Sequence, residues 1–524
     1  MWSKCCMLVL FLHIITEVPG ANGARILGMF PLNGKSHFAM FEVVMKSLAD
    51  RGHRVDVLST FPLKKPYPNY TDLSIGEWVP VIVNNMNYDL VLEISGSSEK
   101  AFIELTGNDV CDNLKLPPLQ KLINNPPDDP PYDLVIVELF YANCYLAFGR
   151  HLNVPVVGLT SSPLLPYTNE PIGNPLNTAY VPEIEDGSVS HMKFWQRLKN
   201  TIVTWMKILQ SRYFTESQDE AVRKYFHLDM PGIRQLEREL ALLLVNSHYS
   251  VNGIRPMTPA VVEVGGLHVK NDSTELPKEL KKWLDESEKG CIYVSFGSMV
   301  TIESFPEKTL LEIYTAFKKI APIRVLMKVA NAKSLPPGLP SNVLTSNWVP
   351  QVQVLRHMNI KAFVTHGGLM GVQEAVTYGV PLIGVPLFRD QPVNIKNCAD
   401  KGAAIMLDHT DLTADKIVAS VNAVAHDPSY KQNMMMLSER FLDRPMNARE
   451  TTIYWIEYIL KHGGDALRSP AVKLTWWQVT LLDVYGSVLA ALFVLFYTAK
   501  LILSAICRRF LYRNRTTPPT KKRN

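Results

Sequence analysis

Short runs of branched apolar residues recur along this 524-residue chain, with stretches of helical periodicity between them. Continuous apolar runs that end at turns are typical of strands buried on both faces, as in parallel sheets covered by helices. Five runs lie in each half: 25–30, 54–60, 133–138, 154–160, 241–247, 291–296, 323–329, 342–346, 361–365 and 382–386. The pattern predicts an α/β chain with two facing doubly wound, Rossmann-like domains and a ligand cleft between their strand ends.

The two ends of the chain differ in composition from the part between them. Residues 1–23 contain a lysine, an apolar segment and small residues in the order typical of a secretory signal peptide, with a buried first strand as the alternative. Residues 484–506 form an apolar run long enough to span a bilayer, with a buried core helix as the alternative. Tryptophans before this run and arginines after it favour a single transmembrane helix followed by a cytosolic tail, residues 507–524.

Charge is distributed unevenly along the chain. The formal net charge is +5, but residues 508–524 hold seven basic residues and no acidic one, so removing them leaves −2. A nearly neutral body gives no reason to expect nucleic-acid binding. A polar stretch at 271–288 predicts a linker between an N-terminal domain, 24–275, and a C-terminal domain, 285–475.

Cysteines and glycosylation motifs bear on the compartment of the protein. The body of the chain holds four cysteines: Cys111, Cys144, Cys291 and Cys398. They are too few for a disulfide framework, and their pairing does not follow from the sequence. No His/Cys cluster has the spacing of a zinc site, so we expect no metal.

Asn69 and Asn271 begin Asn-x-Ser/Thr motifs and are predicted glycosylation sites.

The segment from Trp348 to Gln391 carries the strongest chemical signal. An apolar strand ending at Thr365 enters a helix through the turn His366–Gly368. Such a turn directs free backbone N–H groups and the positive end of the helix dipole at one point, which favours a phosphate. Because Trp348 offers a flat face for stacking a base, the segment predicts a nucleotide site.

Further residues in this segment carry a family resemblance. Trp-x-Pro-Gln at 348–351, His-Gly-Gly at 366–368, Glu-Ala at 374–375, Gly-Val-Pro at 379–381 and Asp-Gln at 390–391 match the donor signature of the UDP-glycosyltransferases in order and spacing. The chain resembles the membrane-bound animal UDP-glucuronosyltransferase type, and Asn-Gly-Lys-Ser-His-Phe at 33–38 resembles insect members. The resemblance implies the glycosyltransferase B fold, with the acceptor on the N-terminal domain and the donor on the C-terminal one. It also implies a late helix, 450–460, that crosses back to the first domain.

The resemblance assigns roles to individual donor-binding residues. Trp348 is expected to stack on the uracil, Gln351 to bond the nucleotide and Glu374 to accept from both ribose hydroxyls. Five residues are expected at the diphosphate: Arg255, Ser298, His366, Gly367 and Gly368. Asp390 and Gln391 are expected to hold the sugar hydroxyls.

The implied catalytic residues lie in the first half of the chain. His37 follows the first predicted strand, where the family has its general base, and a neutral imidazole can take a hydroxyl proton near neutral pH. In glucuronosyl-type relatives an aspartate at a later strand end orients that ring. Here the strand 132–138 ends in Glu138, which is one methylene longer. We expect Glu138 to serve with adjusted geometry, and another group in its place is the alternative.

These residues together predict an enzyme. We expect an inverting UDP-glycosyltransferase that moves a hexose, glucose or glucuronic acid, from UDP to a hydroxyl of a small lipophilic acceptor, as in detoxification. The UDP-sugar is a co-substrate, and no cofactor is implied. Arg389 can meet the carboxylate of glucuronic acid or be a solvated loop residue. A nucleotide-dependent oxidoreductase is disfavoured because Gly-x-Gly-x-x-Gly is missing after the first strand.

Placement in the endoplasmic-reticulum membrane is the expected localisation. The signal peptide, the single span and the tail lysines Lys521 and Lys522 resemble a type I membrane protein with a dilysine retrieval signal and lumenal catalytic domains. Expected partners are the UDP-sugar, the acceptor, this membrane and further copies of the same or related chains. A non-catalytic membrane subunit that modulates related transferases is the alternative function.

One predicted helix, residues 191–214, stands apart from the two domains. Its apolar residues recur at helical spacing, and basic residues lie among them. Such a helix can lie in a membrane interface or pack in a protein core, and the sequence favours neither.

Overall fold

The computed structural model describes residues 23–184, 191–269 and 274–515. The predicted signal peptide, apart from Gly23, lies outside the described residues, as do Asn271 and the lysines of the predicted retrieval signal. The chain divides into two compact units, one ending at Ser469 and the other spanning Pro470–Asn524.

The first unit contains two parallel sheets. The N-terminal sheet has the strand order β3-β2-β1-β4-β5-β6-β7, and the C-terminal sheet has the order β10-β9-β8-β11-β12-β13. The strands are β1 Arg25–Phe30, β2 Arg54–Ser59, β3 Tyr70–Ser74, β4 Leu134–Glu138, β5 Val156–Thr160, β6 Leu240–Val245, β7 Val261–Glu263, β8 Cys291–Ser295, β9 Arg324–Lys328, β10 Val343–Ser346, β11 Ile360–Thr365, β12 Leu382–Gly384 and β13 Ala404–Met406. Every pairing between these strands is parallel. The two doubly wound domains predicted from the apolar runs are therefore confirmed.

Helices connect these strands and cover both faces of each sheet. They are α1 Lys35–Asp50, α2 Tyr88–Gly96, α3 Glu99–Ile103, α4 Asp109–Cys111, α5 Pro117–Asn124, α6 Ala147–Leu152, α7 Phe194–Phe214, α8 Gln218–Tyr225, α9 Ile233–Glu237, α10 Tyr249–Asn252, α11 Lys278–Asp285, α12 Glu307–Lys319, α13 Gln351–Leu355, α14 Leu369–Thr377, α15 Gln391–Ala399, α16 Ala414–His426, α17 Pro428–Leu442 and α18 Ala448–His462. The second unit contains the helices α19 Trp476–Val479 and α20 Leu482–Arg515. A π-helical turn, Glu104–Asn108, joins α3 to α4.

Helix α18 packs against the first domain, although it follows the second domain in the sequence. It contacts α1 and β6. Its buried residues Ile453, Ile456 and Ile459 join the same apolar cluster as β1 residue Ile26. Because this apolar stripe recurs at helical spacing, burial of one face holds the helix across the N-terminal sheet.

The cysteines divide into one bonded pair and single thiols. Cys111 at the end of α4 is bonded to Cys144, which lies 33 residues further along the chain. Cys291 and Cys398 are buried and free, and Cys507 is exposed. The disulfide ties the loop segment before α5 to the segment after β4, so it braces one wall of the first domain.

The second unit contains the predicted span. Within α20, residues Leu482–Tyr512 form a helix long and apolar enough to cross a membrane, judged by length and composition. The observed helix extends the predicted 484–506 segment at both ends.

Candidate active site

One large chamber lies between the carboxyl ends of the two sheets. Its volume is about 760 Å³, and residues of both domains line it. Segments after β1, β3, β4 and β5 form one wall, and the end of β9 with the loops after β8, β10, β11 and β12 forms the other. In doubly wound folds this edge collects the ligand-binding side chains, because every parallel strand ends there.

The N-terminal wall presents His37 held by a buried carboxylate. His37 lies in the first turn of α1, and its Nδ1 is 2.8 Å from Glu138 Oε1. Glu138 ends β4 and is buried, and its second oxygen, Oε2, has no hydrogen-bonding partner among the described residues. With Nδ1–H donating to the carboxylate, the other ring nitrogen, Nε2, is left as a proton acceptor.

Two further groups position the His37 ring, and sequence reasoning missed both. The Ser161 hydroxyl oxygen is 2.9 Å from His37 Nδ1. The Phe140 ring meets the His37 ring edge to face, with 4.9 Å between centroids. Ser161 directly follows the apolar strand β5, so its place at a strand end was the available signal.

The turn after β11 forms a compact anion-binding surface on the opposite wall. Gly367 has φ 86°, and a Cβ there would lie 2.6 Å from Ile395. A Cβ on Gly368 would lie 2.7 Å from His366 Nε2, so only glycine lets the backbone approach this closely. The first N–H groups of α14 follow this turn and lack partners within the helix, which favours a bound anion.

His366 and Ser298 add side-chain hydrogen-bonding groups at the same place. Burial, with a smaller effect from nearby Lys328, lowers the pKa of His366 to about 4, so the ring is neutral at physiological pH. A neutral imidazole still carries one N–H that can donate to a phosphate oxygen. The Ser298 hydroxyl lines the chamber and is buried with no partner among the described residues, so it is available to a ligand.

Lys328 is a further cation on this wall that the sequence did not single out. It ends β9, and its ammonium donates to Asn84 Oδ1 at 2.7 Å and to the Gly297 carbonyl at 2.6 Å. Burial lowers its pKa. A lysine at the end of an otherwise apolar strand was the signal that could have identified it.

The predicted nucleoside residues lie together further along the C-terminal wall. Trp348 is 61% exposed and lines the chamber, so its ring face is available for stacking. Gln351 accepts from the Tyr293 hydroxyl at 3.0 Å and donates through Nε2 to Glu374. These contacts place the Gln351 amide beside the Glu374 carboxylate. Two groups that bind neighbouring parts of one nucleoside need to lie this close together.

Glu374 has an unusual charge state. Its burial raises its pKa to about 7, although the Gln351 hydrogen bond acts in the opposite direction. His268, which sequence reasoning missed, is buried with Nε2 3.7 Å from Glu374 Oε1 and 3.2 Å from the Met370 carbonyl. Burial lowers the His268 pKa to about 4, so it is not a counter-charge near neutral pH.

The two predicted sugar-binding residues also line the chamber. Asp390 Oδ2 accepts from Asn394 at 2.7 Å. The Gln391 side-chain oxygen accepts from the backbone N–H groups of Leu387 and Phe388, at 2.8 and 3.2 Å. Gln391 is therefore held by its oxygen, and its amide N–H groups are the part that can face a ligand.

The structure does not bring Arg255 into this chamber, contrary to the expectation that it contacts the donor phosphates. Its guanidinium donates to the carbonyls of Leu164 and Asn252, each at 3.3 Å. It lines a separate small cavity, and its burial lowers its pKa. One of these carbonyls belongs to a segment 91 residues away, a contact that a linear motif could not reveal.

Arg389 is neither the solvated loop residue nor the open carboxylate receptor that the sequence left as alternatives. Its guanidinium lies 3.7 Å from the centroid of the Phe102 ring and contacts Glu99 at 3.4 Å and Ser97 at 3.1 Å. The residue thus joins the loop before α15 in the C-terminal domain to α3 in the N-terminal domain.

Fold and site together define the class of protein. Two facing doubly wound domains, with a nucleotide diphosphate surface on one wall and a histidine–carboxylate pair on the other, are the arrangement of a glycosyltransferase with the B fold. Solved structures agree with this fold. A structure of Phytolacca americana UGT2 complexed with UDP-2fluoro-glucose and pterostilbene matches with a TM-score of 0.56 at 17% identity, over 83% of this chain and 99% of that one. The glycotransferase of kitacinnamycin matches with the same TM-score and sequence identity, over the same fractions of the two chains.

Sequence comparisons identify the family. The model of the family described as UDP-glucoronosyl and UDP-glucosyl transferase matches residues 120–516. UDP-glucosyltransferase 2 of Dactylopius coccus is 36% identical over 498 residues, which are 94% of each chain. UDP-glucuronosyltransferase 1A3 of Rattus norvegicus is 28% identical over 523 residues, 95% of this chain and 94% of that one. The chain belongs to the UDP-glucoronosyl and UDP-glucosyl transferase family, and it is a UDP-glycosyltransferase whose donor is a UDP-sugar.

Proposed function

We propose that this protein transfers glucose from UDP-glucose to a hydroxyl of a small lipophilic acceptor, with inversion at the anomeric carbon. The observation that carries the proposal is the 2.8 Å contact between His37 and Glu138 on the wall opposite the donor motif. The pair places a proton acceptor on one side of the chamber and the diphosphate surface on the other, as an in-line displacement needs.

The reaction is a single displacement. His37 Nε2 takes the acceptor hydroxyl proton as that oxygen forms a bond to the anomeric carbon. The bond from this carbon to the β-phosphate oxygen breaks, and UDP leaves from the other face with the electron pair. Glu138 stabilises the imidazolium that forms. His366, Ser298 and the first N–H groups of α14 stabilise the charge that develops on the leaving diphosphate.

Arg389 supports glucose over glucuronic acid as the sugar. A receptor for the extra carboxylate needs a cation beside Asp390, and Arg389 is the cation at that place in the sequence. Its guanidinium is already bound to Glu99 and Ser97 and stacked on Phe102. Moving it toward a donor would leave the mostly buried carboxylate of Glu99 with one partner fewer.

The acceptor class follows from the part of the chamber next to His37. Its lining there is largely apolar and comes from the loops between β3 and β4 and from the segment after β4. The lining includes Val79, Ile82, Ile94, Phe102, Leu105, Val110 and Phe140. A lipophilic molecule with one hydroxyl aimed at His37 fits this chemistry, and we propose conjugation of such compounds, as in detoxification, as the role.

The test is a product analysis with both donors. The full chain in membranes is given UDP-glucose and UDP-glucuronic acid in competition, with a panel of phenols and steroids. We expect a β-linked glucoside, identified by the anomeric proton coupling in NMR, in excess over glucuronide. An α-linked product would contradict the displacement, and an excess of glucuronide would contradict the donor. Binding of UDP without UDP release for any acceptor would favour the non-catalytic membrane subunit.

We also propose that the catalytic unit faces the lumen of the endoplasmic reticulum. The predicted signal peptide and the apolar helix α20 support this orientation. Asn69, one of the two predicted glycosylation sites, is exposed in the loop before β3. A shift in gel mobility on deglycosylation is expected, smaller in Asn69→Gln than in wild type and absent when Asn69→Gln is combined with Asn271→Gln. An unglycosylated Asn69 in cells that glycosylate other lumenal proteins would argue against it.

A further inference from the structure

Helix α7 packs with its polar side inward and its apolar side outward. Its buried residues are Asn200, Thr204, Ile208 and Ser211. Its exposed apolar residues are Phe194, Trp195, Leu198, Ile202, Trp205, Met206, Leu209 and Tyr213. Most of the latter recur at three- and four-residue spacing, so they form one continuous stripe along a 21-residue helix. A helix of a globular protein normally has the opposite arrangement.

Specific hydrogen bonds fix the inward face of α7. The Asn200 amide donates to the carbonyls of Thr178 and Val181, at 2.7 and 3.0 Å, and accepts from the backbone N–H of Glu183 at 2.8 Å. Near the other end, the Asn108 amide donates to the Phe214 carbonyl at 2.8 Å. Rotating the helix to bury its apolar stripe would leave buried polar groups without hydrogen-bonding partners, which is unfavourable.

The charged residues of the helix segment itself are all basic. Residues 191–214 contain five basic residues and no acidic one: Lys193, Arg197, Lys199, Lys207 and Arg212. Lys207 and Arg212 pair with Glu99 and Glu170, and the side chains of Lys193 and Lys199 are exposed at the surface. Exposed aromatic side chains bordered by lysines are the composition of a helix that lies in a bilayer interface.

We propose that the outer face of α7 docks in the headgroup region of an anionic bilayer, as a second membrane contact besides the apolar span in α20. Tryptophan and tyrosine favour that depth because their rings are apolar and their N–H and O–H groups remain hydrated. Lys193 and Lys199 supply the complementary charge for anionic lipid. The same chain carries an apolar helix long enough to cross a membrane, so a bilayer is the surface available to it.

Nitroxide labels on the full chain in vesicles test the docking. A label at Met206→Cys, on the stripe, is compared with one at Met358→Cys, which is 87% exposed elsewhere on the catalytic unit. Both variants carry Cys507→Ser, because Cys507 is the exposed free thiol, and retained UDP binding checks their folding. We expect the Met206 label to collide more with oxygen than with a water-soluble nickel chelate, and the Met358 label to show the reverse.

Charge reversal tests the preference for anionic lipid. In vesicles of phosphatidylcholine with phosphatidylserine, Lys193→Glu with Lys199→Glu is expected to shift the Met206 label toward the nickel chelate. The matched control, Lys281→Glu with Lys282→Glu on exposed α11, is expected to leave it unchanged. Water-like collision rates at both labels would overturn the proposal. Dipolar broadening between Met206 labels would overturn it in favour of a second copy of this chain.

Discussion

At the scale of single residues, the proposed ribose contact is Glu374, a carboxyl group whose pKa lies near neutral pH. Burial raises the pKa of Glu374 to about 7, and the ribose hydroxyls need an ionised acceptor. Because protonation below this pKa removes that acceptor, we expect the dissociation constant for UDP-glucose to rise toward acid, by up to roughly tenfold per pH unit below about 7. Calorimetry without acceptor measures this binding and avoids any contribution from the acceptor step.

The matched control for this pH dependence is Glu374→Gln. It is expected to bind UDP-glucose more weakly above the pKa of Glu374 and to lose most of the dependence below it. His366 does not interfere in this range, since burial lowers its pKa to about 4. An unchanged pH profile in Glu374→Gln would show that another group is responsible.

Trp348 offers a second test at the residue scale. Its side chain is largely exposed, so removing it should not disturb packing, whereas it should remove base stacking worth ~1–3 kcal/mol. We expect Trp348→Ala to weaken UDP binding by roughly 5- to 150-fold, with Trp348→Phe retaining most of the affinity. Equal affinity in wild type and Trp348→Ala would contradict the stacking role.

The sequence predicted those site residues that lie in one short motif or at the end of a predicted strand. The His-Gly-Gly turn, Glu374 and the pair His37 and Glu138 all belong to this group. His268 was missed because it lies in no predicted motif or strand end, and only the fold brings it to Glu374. Ser161 directly follows a predicted strand, but the sequence does not show that its hydroxyl reaches His37, 124 residues away.

At the scale of elements, the loop before α15 is coupled to α3 across the chamber. Arg389 adopts φ 57°, which is uncommon for a residue with a side chain, and its guanidinium reaches Glu99 and the Phe102 ring. The Arg389 and Glu99 side chains are only 14% and 10% exposed, so the ion pair is little screened by solvent. The contact connects the loop that carries the sugar-binding residues with an element of the acceptor wall.

A double-mutant cycle on this ion pair tests the coupling. We expect Arg389→Ala and Glu99→Gln each to lower kcat/KM for the acceptor. We expect the loss of transition-state stabilisation in the double variant to be smaller than the sum of the losses in the two single variants, by about 0.5–3 kcal/mol. The exposed pair Lys319 and Asp415 in the C-terminal domain is the control and should show additive, near-zero effects. Strict additivity at Arg389 and Glu99 would show that the contact does not link the two walls.

All the central strands and the edge strand β10 were predicted, whereas the other three edge strands were not. Each of the ten predicted strands is present within two residues of its predicted bounds. The missed strands β7 and β13 have only three residues each, and β3 is partly exposed. Short edge strands bury little apolar surface, so they leave a weak periodic signal.

The orientation of helix α7 was also not predictable from the sequence. Its periodicity predicted a helix, and the structure has one, but the pattern could not say which face points inward. The answer depends on Asn200 meeting the carbonyls of Thr178 and Val181, which belong to a different segment.

At the scale of the whole molecule, the chamber requires both domains. The C-terminal wall carries the residues that we propose bind and stabilise UDP, and the N-terminal wall carries His37, the proposed proton acceptor, and the apolar lining proposed for the acceptor. Two sheets facing each other at their carboxyl ends were predictable from the apolar runs. The acceptor lining was not, because it comes from irregular segments between β3 and β4 whose fold follows no simple period.

Because the proposed proton acceptor and the proposed donor-binding residues lie on different walls, we expect that a variant can lose catalysis and keep donor binding. His37 lies outside the donor motif, so removing its ring should remove the proton acceptor and leave the UDP site intact. General-base catalysis typically accelerates a reaction about 10²–10⁴-fold, so we expect the turnover rate of His37→Ala to fall by at least about 100-fold. Glu138→Gln keeps the size of the side chain but removes its charge, and it should lower turnover with donor affinity again retained.

The most direct measurement is therefore a paired one on His37→Ala: the rate of UDP release with acceptor present, and the dissociation constant for UDP by calorimetry. We expect UDP release to fall by at least about 100-fold while the dissociation constant stays within about twofold of wild type. Full turnover in His37→Ala would contradict the assignment of His37 as the base. Loss of UDP binding together with activity would contradict the separation of the two walls.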